Sequence, residues 1–244
     1  MNSQKAEALG YELTRLIHSE RFHQAYEQLA PTLAERTKFP LLEKIGEPIG
    51  AGTLDQTNAF LEHVARARTE GGWVVIGAAL RIQLDRDLSG AIGRARRYIL
   101  AADVWYAADI IGERVPGQAL VDCFDQALEQ LDPWRCDPNR WVRRAIGVAV
   151  HLWAKRSRGV AELEAKALDL MDFLEPLISD WEMDVAKGTG WGLKTLGKYY
   201  PEALAEWLVE SLPKQQRYRA VVRNKALTYL AEQDRDRVLA GISR

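Results

Sequence analysis

Apolar residues recur every three or four positions along almost the whole chain, which is the period of amphipathic α-helices. One such segment contains Leu163, Leu168, Leu170, Met171, Leu174 and Leu177. Several prolines fall between periodic segments, where helices are expected to start or stop. Alternating runs of β-branched residues are scarce, so we expect no β-sheet. The pattern predicts an all-α protein.

The periodic segments and their interruptions predict helices that pair along the chain. The predicted bounds are 3–19, 22–36, 39–47, 54–69, 73–84, 87–101, 104–113, 117–131, 139–155, 160–177, 183–198, 201–211, 215–231 and 234–241.

A motif of small residues inside an apolar and basic segment recurs in the second helix of several pairs. Its occurrences are W-V-V-I-G-A-A-L-R-I, W-V-R-R-A-I-G-V-A-V, A-K-G-T-G-W-G-L-K and V-V-R-N-K-A-L-T-Y-L. The spacing is 43 residues from Ala145 to Gly188 and 38 from Gly188 to Ala226, which is close to the period of HEAT-type repeats. Small residues let the inner helices of stacked pairs approach closely. We therefore expect a HEAT-like α-solenoid, a right-handed superhelix of antiparallel helix pairs with a concave face.

The 244 residues are enough to bury a large core, and no linker rich in Gly, Ser and Pro divides them. We therefore expect a single repeat domain over residues 1–244. Residues 1–70 are the least repeat-like part and are expected to form a divergent N-terminal cap. Residues 71–244 are expected to form the repeat array and its cleft.

The composition, 47% hydrophobic and 27% charged, is typical of a soluble globular protein. No apolar run approaches the roughly 18 residues of a membrane span, and the N-terminus lacks the apolar core of a signal peptide. Cys123 and Cys136 make neither a disulfide framework nor a zinc site, and the histidines lie in no metal-binding motif. We expect a cytoplasmic monomer that needs no metal or other cofactor.

Charge is segregated along a chain whose net charge is only −1. Residues 138–161 contain six basic residues and no acid, and residues 211–231 contain five basic residues and no acid. Acidic segments precede and separate them. Such segregation can create one basic surface on a neutral protein, and basic inner helices would place that surface on the concave face. Ordinary solvated helix faces are the alternative.

Three short motifs, in order, resemble those of a known family. They are Trp105 to Asp109 in V-W-Y-A-A-D, Trp141 to Ala145 in R-W-V-R-R-A-I-G, and Lys187 to Trp191 in A-K-G-T-G-W-G-L-K. With them, roughly residues 65–241 resemble the HEAT-like DNA alkylation repair glycosylases (the AlkD family), in which these motifs line the DNA cleft. The chain departs from the family at Leu152, where relatives carry a second basic residue, with His151 and Lys155 as neighbours.

The resemblance implies a site made of Asp109, Trp105, Trp191 and Arg144. Alkylation at N3 or N7 makes a purine cationic, and cleavage of its glycosidic bond passes through an oxocarbenium-like sugar. Asp109 would stabilise that sugar and position the attacking water, which a carboxylate does best in a dry cleft. Trp105 and Trp191 would flank the cationic nucleotide by cation–π attraction. No lysine neighbours Asp109 on its helix, so we expect a monofunctional glycosylase.

Charge and resemblance together predict binding to double-stranded DNA that contains alkylated bases. The expected phosphate contacts are Arg97, Arg140, Arg143, Arg144, Lys187, Lys194, Arg219 and Arg223. One alternative is a non-catalytic binder of damaged or branched DNA, which would not need Asp109. Another is a HEAT scaffold whose groove holds a protein partner. The tryptophans could instead pack in the core, and Asp109 could pair structurally with Arg144.

Overall fold

The structure, a computed structural model, describes residues 1–242, and within them every regular element is helical. The prediction of an all-α protein is confirmed. Among these described residues, none of the helices combines the length and the apolar content that a membrane span requires.

The chain divides into two compact units between Val115 and Pro116. Unit 1 contains α1 (Ser3–His18), α2 (Phe22–Ala34), α3 (Phe39–Ala51), α4 (Leu54–Arg66), α5 (Glu70–Gln83), α6 (Leu88–Ala102) and α7 (Trp105–Gly112). Unit 2 contains α8 (Gln118–Asp122), α9 (Phe124–Leu131), α10 (Arg140–Ser157), α11 (Glu164–Ile178), α12 (Met183–Tyr199), α13 (Pro201–Ser211), α14 (Ala220–Ala226) and α15 (Glu232–Ile242). The unit boundary falls within a π-helical turn, Glu113–Gly117.

In unit 1 the helices pack in two rows. The first row consists of α1, α3, α5 and α7, and the second row of α2, α4 and α6. The sequence pattern predicts a divergent N-terminal cap over residues 1–70. In the structure, α1 and α3 of this segment pack in the same row as α5. The interpretation of residues 1–244 as one repeat domain stays a prediction.

Unit 2 has the same arrangement, with α10, α12 and α14 in its first row and α11, α13 and α15 in its second. The most extensive contact is between α10 and α12. It depends on glycine, because a Cβ added to Gly147 would lie 2.2 Å from the backbone of Gly188. In unit 1, a Cβ on Gly50 would likewise lie 2.3 Å from the carbonyl oxygen of Ala79. The predicted role of the small residues, close approach of stacked helices, is confirmed at these contacts.

Two predicted helices differ from the structure. The segment 117–131 is broken at Cys123, whose non-helical backbone (φ −143°, ψ 66°) separates α8 from α9. The segment 215–231 contains only the short α14, followed by a 3₁₀ turn at Leu227–Tyr229. Residues 215–219 precede α14 without helical structure, and there the Nε of Arg219 donates a hydrogen bond to the carbonyl oxygen of Trp181, at 2.5 Å. The side chain of Arg219 thus connects this non-helical segment to the backbone before α12.

The glycine contact between α10 and α12 gives the first testable prediction. Gly147→Ala should lower the free energy of unfolding by about 1–3 kcal/mol, because the methyl group would meet backbone that cannot rotate away. Gly93→Ala is the matched control, since Gly93 is also helical but has nothing within 4 Å of its added Cβ. This control should stabilise the protein by about 0.5–1 kcal/mol. Equal effects in urea unfolding would contradict the packing described.

Candidate nucleic-acid interface

Two of the expected site residues, Trp105 and Asp109, lie in α7 of unit 1. Trp105 is the first residue of the helix and is 54% exposed, with its ring edge-on to Tyr106 at 5.8 Å between centroids. Asp109 follows one turn later and is half-buried. The predicted placement of both residues on one helix, four positions apart, is confirmed.

A pocket of about 350 Å³ lies among the first-row helices of unit 2. Its lining residues are Arg144, Lys187, Trp191, Lys194, Val221 and Lys225. The first four were expected from the sequence and are brought together here from α10 and α12. Val221 and Lys225 were missed. They stand four positions apart on α14, and the helical spacing of a basic and an apolar residue was the signal that could have found them.

Glycines of α12 shape this pocket. A Cβ on Gly188 would lie 2.7 Å from the carbonyl oxygen of Arg144 and 3.0 Å from its Cγ. Two residues further along α12, a Cβ on Gly190 would lie 2.8 Å from the Cδ of Lys225. The absence of side chains at both positions lets the stems of Arg144 and Lys225 lie against the α12 backbone.

Arg144 is only 8% exposed and is held in place by a hydrogen bond. Its Nη1 donates a hydrogen bond to the carbonyl oxygen of Asp184, in the first turn of α12, at 3.2 Å. The guanidinium is therefore oriented by backbone before any ligand arrives, which reduces the ordering cost of binding.

The pocket concentrates positive charge. Burial lowers the pKa of Lys225, and the nearby charges of Lys194, Arg144 and Lys187 lower it further. The six described residues that line the pocket include no carboxylate. Four basic side chains so close together favour an anion in the pocket.

Trp191 forms the aromatic wall of the pocket. Its half-buried indole stacks on His151, with centroids 4.1 Å apart and planes 26° apart. Burial lowers the pKa of His151 to about 4, and the charge of Lys155 contributes in the same direction. His151 is therefore neutral at neutral pH.

Arg143 has a different environment from Arg144, although the two are adjacent on α10. Its Nε donates to the carboxylate of Asp180 at 2.6 Å, and its Nη1 donates to the carbonyl oxygens of Asp137 and Pro138 at 2.6 and 3.1 Å. The two charged side chains are only 14% and 15% exposed. This guanidinium connects the start of α10 to the segment before α12, and its expected phosphate contact stays a prediction.

The other expected basic residues are on the surface. The guanidinium of Arg140 lies over the ring of Trp141 at 4.6 Å and 3.8 Å from Asp184, while that of Arg219 lies over the ring of Trp181 at 4.5 Å. Arg223 donates to the side-chain oxygen of Asn224. In unit 1, exposed Arg97 is 3.9 Å from Glu62.

Unit 1 differs from unit 2 in the charge of its first row. There Arg81 of α5 pairs with Glu47 of α3, and Arg114 of the π-helical turn pairs with Glu43 of α3, each at 2.5 Å. Glutamates of α3 thus neutralise these arginines. In unit 2, the pocket brings four basic side chains of the first row together.

Helix pairs stacked in two rows, with glycine-mediated contacts inside the first row, define this chain as a helical-repeat protein. The model of the DNA alkylation repair enzyme family matches residues 59–230. The chain belongs to this family, and the family prediction is confirmed.

Among solved structures, the chain is similar to the Pseudomonas fluorescens alkylpurine DNA glycosylase AlkC bound to DNA containing an abasic site analog. The TM-score is 0.51 at 20% sequence identity, and the match covers 99% of this chain and 66% of that chain. The chain thus spans slightly less than two thirds of the length of that protein. This likeness confirms the helical-repeat fold. No curated protein matches the sequence.

The environment of Arg143 yields a second prediction. Arg143→Gln should lower the free energy of unfolding by about 1–3 kcal/mol, because Asp180 would lose its partner in a largely buried place. Arg156→Gln, which removes the same charge from an exposed position of α10, should change stability by less than about 0.5 kcal/mol. Thermal unfolding of both variants tests this. An Arg143 variant as stable as the Arg156 variant would contradict the structural role of Arg143.

Proposed function

We propose that this protein is a monofunctional DNA glycosylase that excises cationic N3- or N7-alkylated purines from double-stranded DNA. Membership of the DNA alkylation repair enzyme family supports the proposal. The single observation that carries it is the unit 2 pocket, where four basic side chains and one tryptophan converge. We further expect the protein to act as a cytoplasmic monomer without a metal or other cofactor.

In this proposal the pocket holds a phosphate of the DNA backbone. A phosphodiester is anionic and accepts charge-assisted hydrogen bonds from arginine and lysine. Arg144 is pre-oriented by the carbonyl oxygen of Asp184, and exposed Lys187 closes one side of the pocket. Lys194 and Lys225 complete the positive lining. Contacts of this kind fix the position of a protein on the duplex and carry no sequence code.

Further basic residues outside the pocket are proposed to make weaker phosphate contacts. They are Arg140, Arg219 and Arg223 in unit 2 and Arg97 in unit 1. Arg140 and Arg97 are exposed, whereas Arg219 and Arg223 are half-buried. Each contact of this type releases counterions, so the affinity should depend steeply on salt.

The two tryptophans act on the alkylated nucleotide. A cationic base is attracted to an indole face by about 0.5–2 kcal/mol, depending on desolvation. Trp191 offers its ring at the pocket wall. Trp105 is 54% exposed, and so large an exposed aromatic surface at the start of α7 is consistent with a binding role.

Asp109 is the proposed catalytic residue. Its carboxylate would stabilise the positive charge that develops on the deoxyribose as the glycosidic bond breaks, and it would orient the attacking water. The α7 segment Trp105–Gly112 contains no lysine. The reaction is therefore expected to release the base and leave the abasic strand uncut.

The DNA-binding part of the proposal is tested by removing one pocket charge. Lys187→Gln should weaken binding to duplexes of different sequence equally. The plot of log affinity against log salt concentration should become less steep by roughly 0.9, the value for one lost phosphate contact. The matched control is Lys214→Gln. It removes an exposed lysine from the 3₁₀ turn that packs against α13 and α15. Fluorescence anisotropy at several salt concentrations measures both variants.

Equal losses in the two lysine variants would contradict a phosphate site in the pocket. A wild-type affinity that does not depend on salt would favour a scaffold that binds a protein partner.

The catalytic part is tested on DNA that contains a 7-methylguanine. The wild type should release the base and create alkali-labile sites. Asp109→Asn should lower the single-turnover rate about a hundredfold or more and retain DNA binding, because the amide cannot stabilise the sugar cation. Asp85→Asn is the control, since Asp85 is an exposed acid of the same unit, and its rate should match the wild type. Binding without base release by the wild type would instead identify a non-catalytic binder of damaged DNA.

A further inference from the structure

His151 is outside the motifs that resemble the family, yet it contacts the aromatic wall of the pocket. It lies on α10, and its ring stacks on Trp191 of α12 with centroids 4.1 Å apart. The stack covers one side of the indole with a flat ring. Such a contact limits rotation of the Trp191 side chain about its χ angles, which a pocket wall needs if it is to keep its shape.

A hydrogen bond fixes the imidazole in turn. The Nδ1 of His151 lies 2.7 Å from the Oγ1 of Thr195, and this hydroxyl donates to the carbonyl oxygen of Trp191 at 3.1 Å. The tautomer of the imidazole decides whether Nδ1 donates to this hydroxyl or accepts from it. Thr195 is 7% exposed and follows Trp191 by one helical turn. Three residues of two helices therefore form one connected unit.

The charge of the imidazole matters for what the indole can do. An imidazolium stacked on Trp191 would compete for the electron density that a cationic base needs, and it would add to the repulsion within the lysine-rich pocket. The lowered pKa of His151 keeps the ring neutral. The support under Trp191 is thus flat and uncharged.

We infer that His151, through its stack on Trp191 and its hydrogen bond to Thr195, is a positioning residue that holds the indole as the aromatic wall of the pocket. The geometry stands on its own. The consequence for DNA rests on the proposed function, in which Trp191 attracts the cationic alkylated base.

The positioning is tested first on the free protein, labelled with 5-fluorotryptophan and observed by fluorine NMR. Trp191→Phe identifies the Trp191 resonance. His151→Ala should move or broaden that resonance, because the ring current and the packing of the imidazole are lost. His151→Phe, which restores a flat neutral ring, should return the line close to its wild-type width. Thr195→Val, which keeps the side-chain shape and removes the hydroxyl, should broaden it.

The neighbouring half-buried Leu152 provides the control for general loosening of α10. Leu152→Ala should leave the Trp191 resonance in place. The inference is overturned if His151→Ala leaves the line unchanged, or if Leu152→Ala moves it as much.

The consequence for the ligand is measured as affinity for duplex DNA that carries a 7-methylguanine. His151→Ala should lose about threefold to tenfold in affinity, the size expected for one aromatic pair, and His151→Phe should recover most of it. If His151→Ala moves the Trp191 fluorine resonance but binds the 7-methylguanine duplex as tightly as the wild type does, the role of His151 in the pocket is overturned. If the wild type binds no DNA, the proposed function fails, and the fluorine spectra alone decide whether His151 positions Trp191.

Discussion

The close backbone approach of α10 and α12 is the constraint on which the rest of unit 2 depends. Gly147 and Gly188 lie so near each other that a single methyl group at either would overlap backbone. This contact sets the distance between the two helices, and with it the positions of Arg144 and Trp191, which lie within one turn of these glycines. A helix pair held apart by ordinary side chains would place the two groups too far apart to line one small pocket.

The two units differ in how the basic side chains of their first rows are arranged. In unit 1 the glutamates of α3 pair with Arg81 and Arg114, so these arginines connect helices. In unit 2, burial and the nearby charges of Lys194, Arg144 and Lys187 together lower the pKa of Lys225. A ligand that supplies negative charge would relieve this repulsion. The pocket is for this reason the proposed site for a DNA phosphate.

The proposed chemistry assigns different tasks to different helices. A carboxylate near the DNA backbone repels phosphates, so Asp109 would weaken binding, and only a role in the reaction would offset that cost. The pocket of unit 2 lies on other helices and would retain affinity when Asp109 is changed. In the proposed function, binding and base release can therefore be measured separately.

Helical periodicity, the small-residue motif and the three family motifs lie in local stretches of sequence, and they determined the all-α class, the repeat packing and the family. They also placed Trp105 with Asp109 on one helix. The pairing of Arg143 with Asp180, the stack of His151 on Trp191 and the entry of Lys225 into the pocket were decided by tertiary structure. The first two join residues 37 and 40 positions apart, and Lys225 meets pocket residues that precede it by up to 81 positions. The way in which successive repeats stack decides whether a lysine or arginine pairs with an acid or lines a pocket. The helical period of the sequence does not determine that stacking.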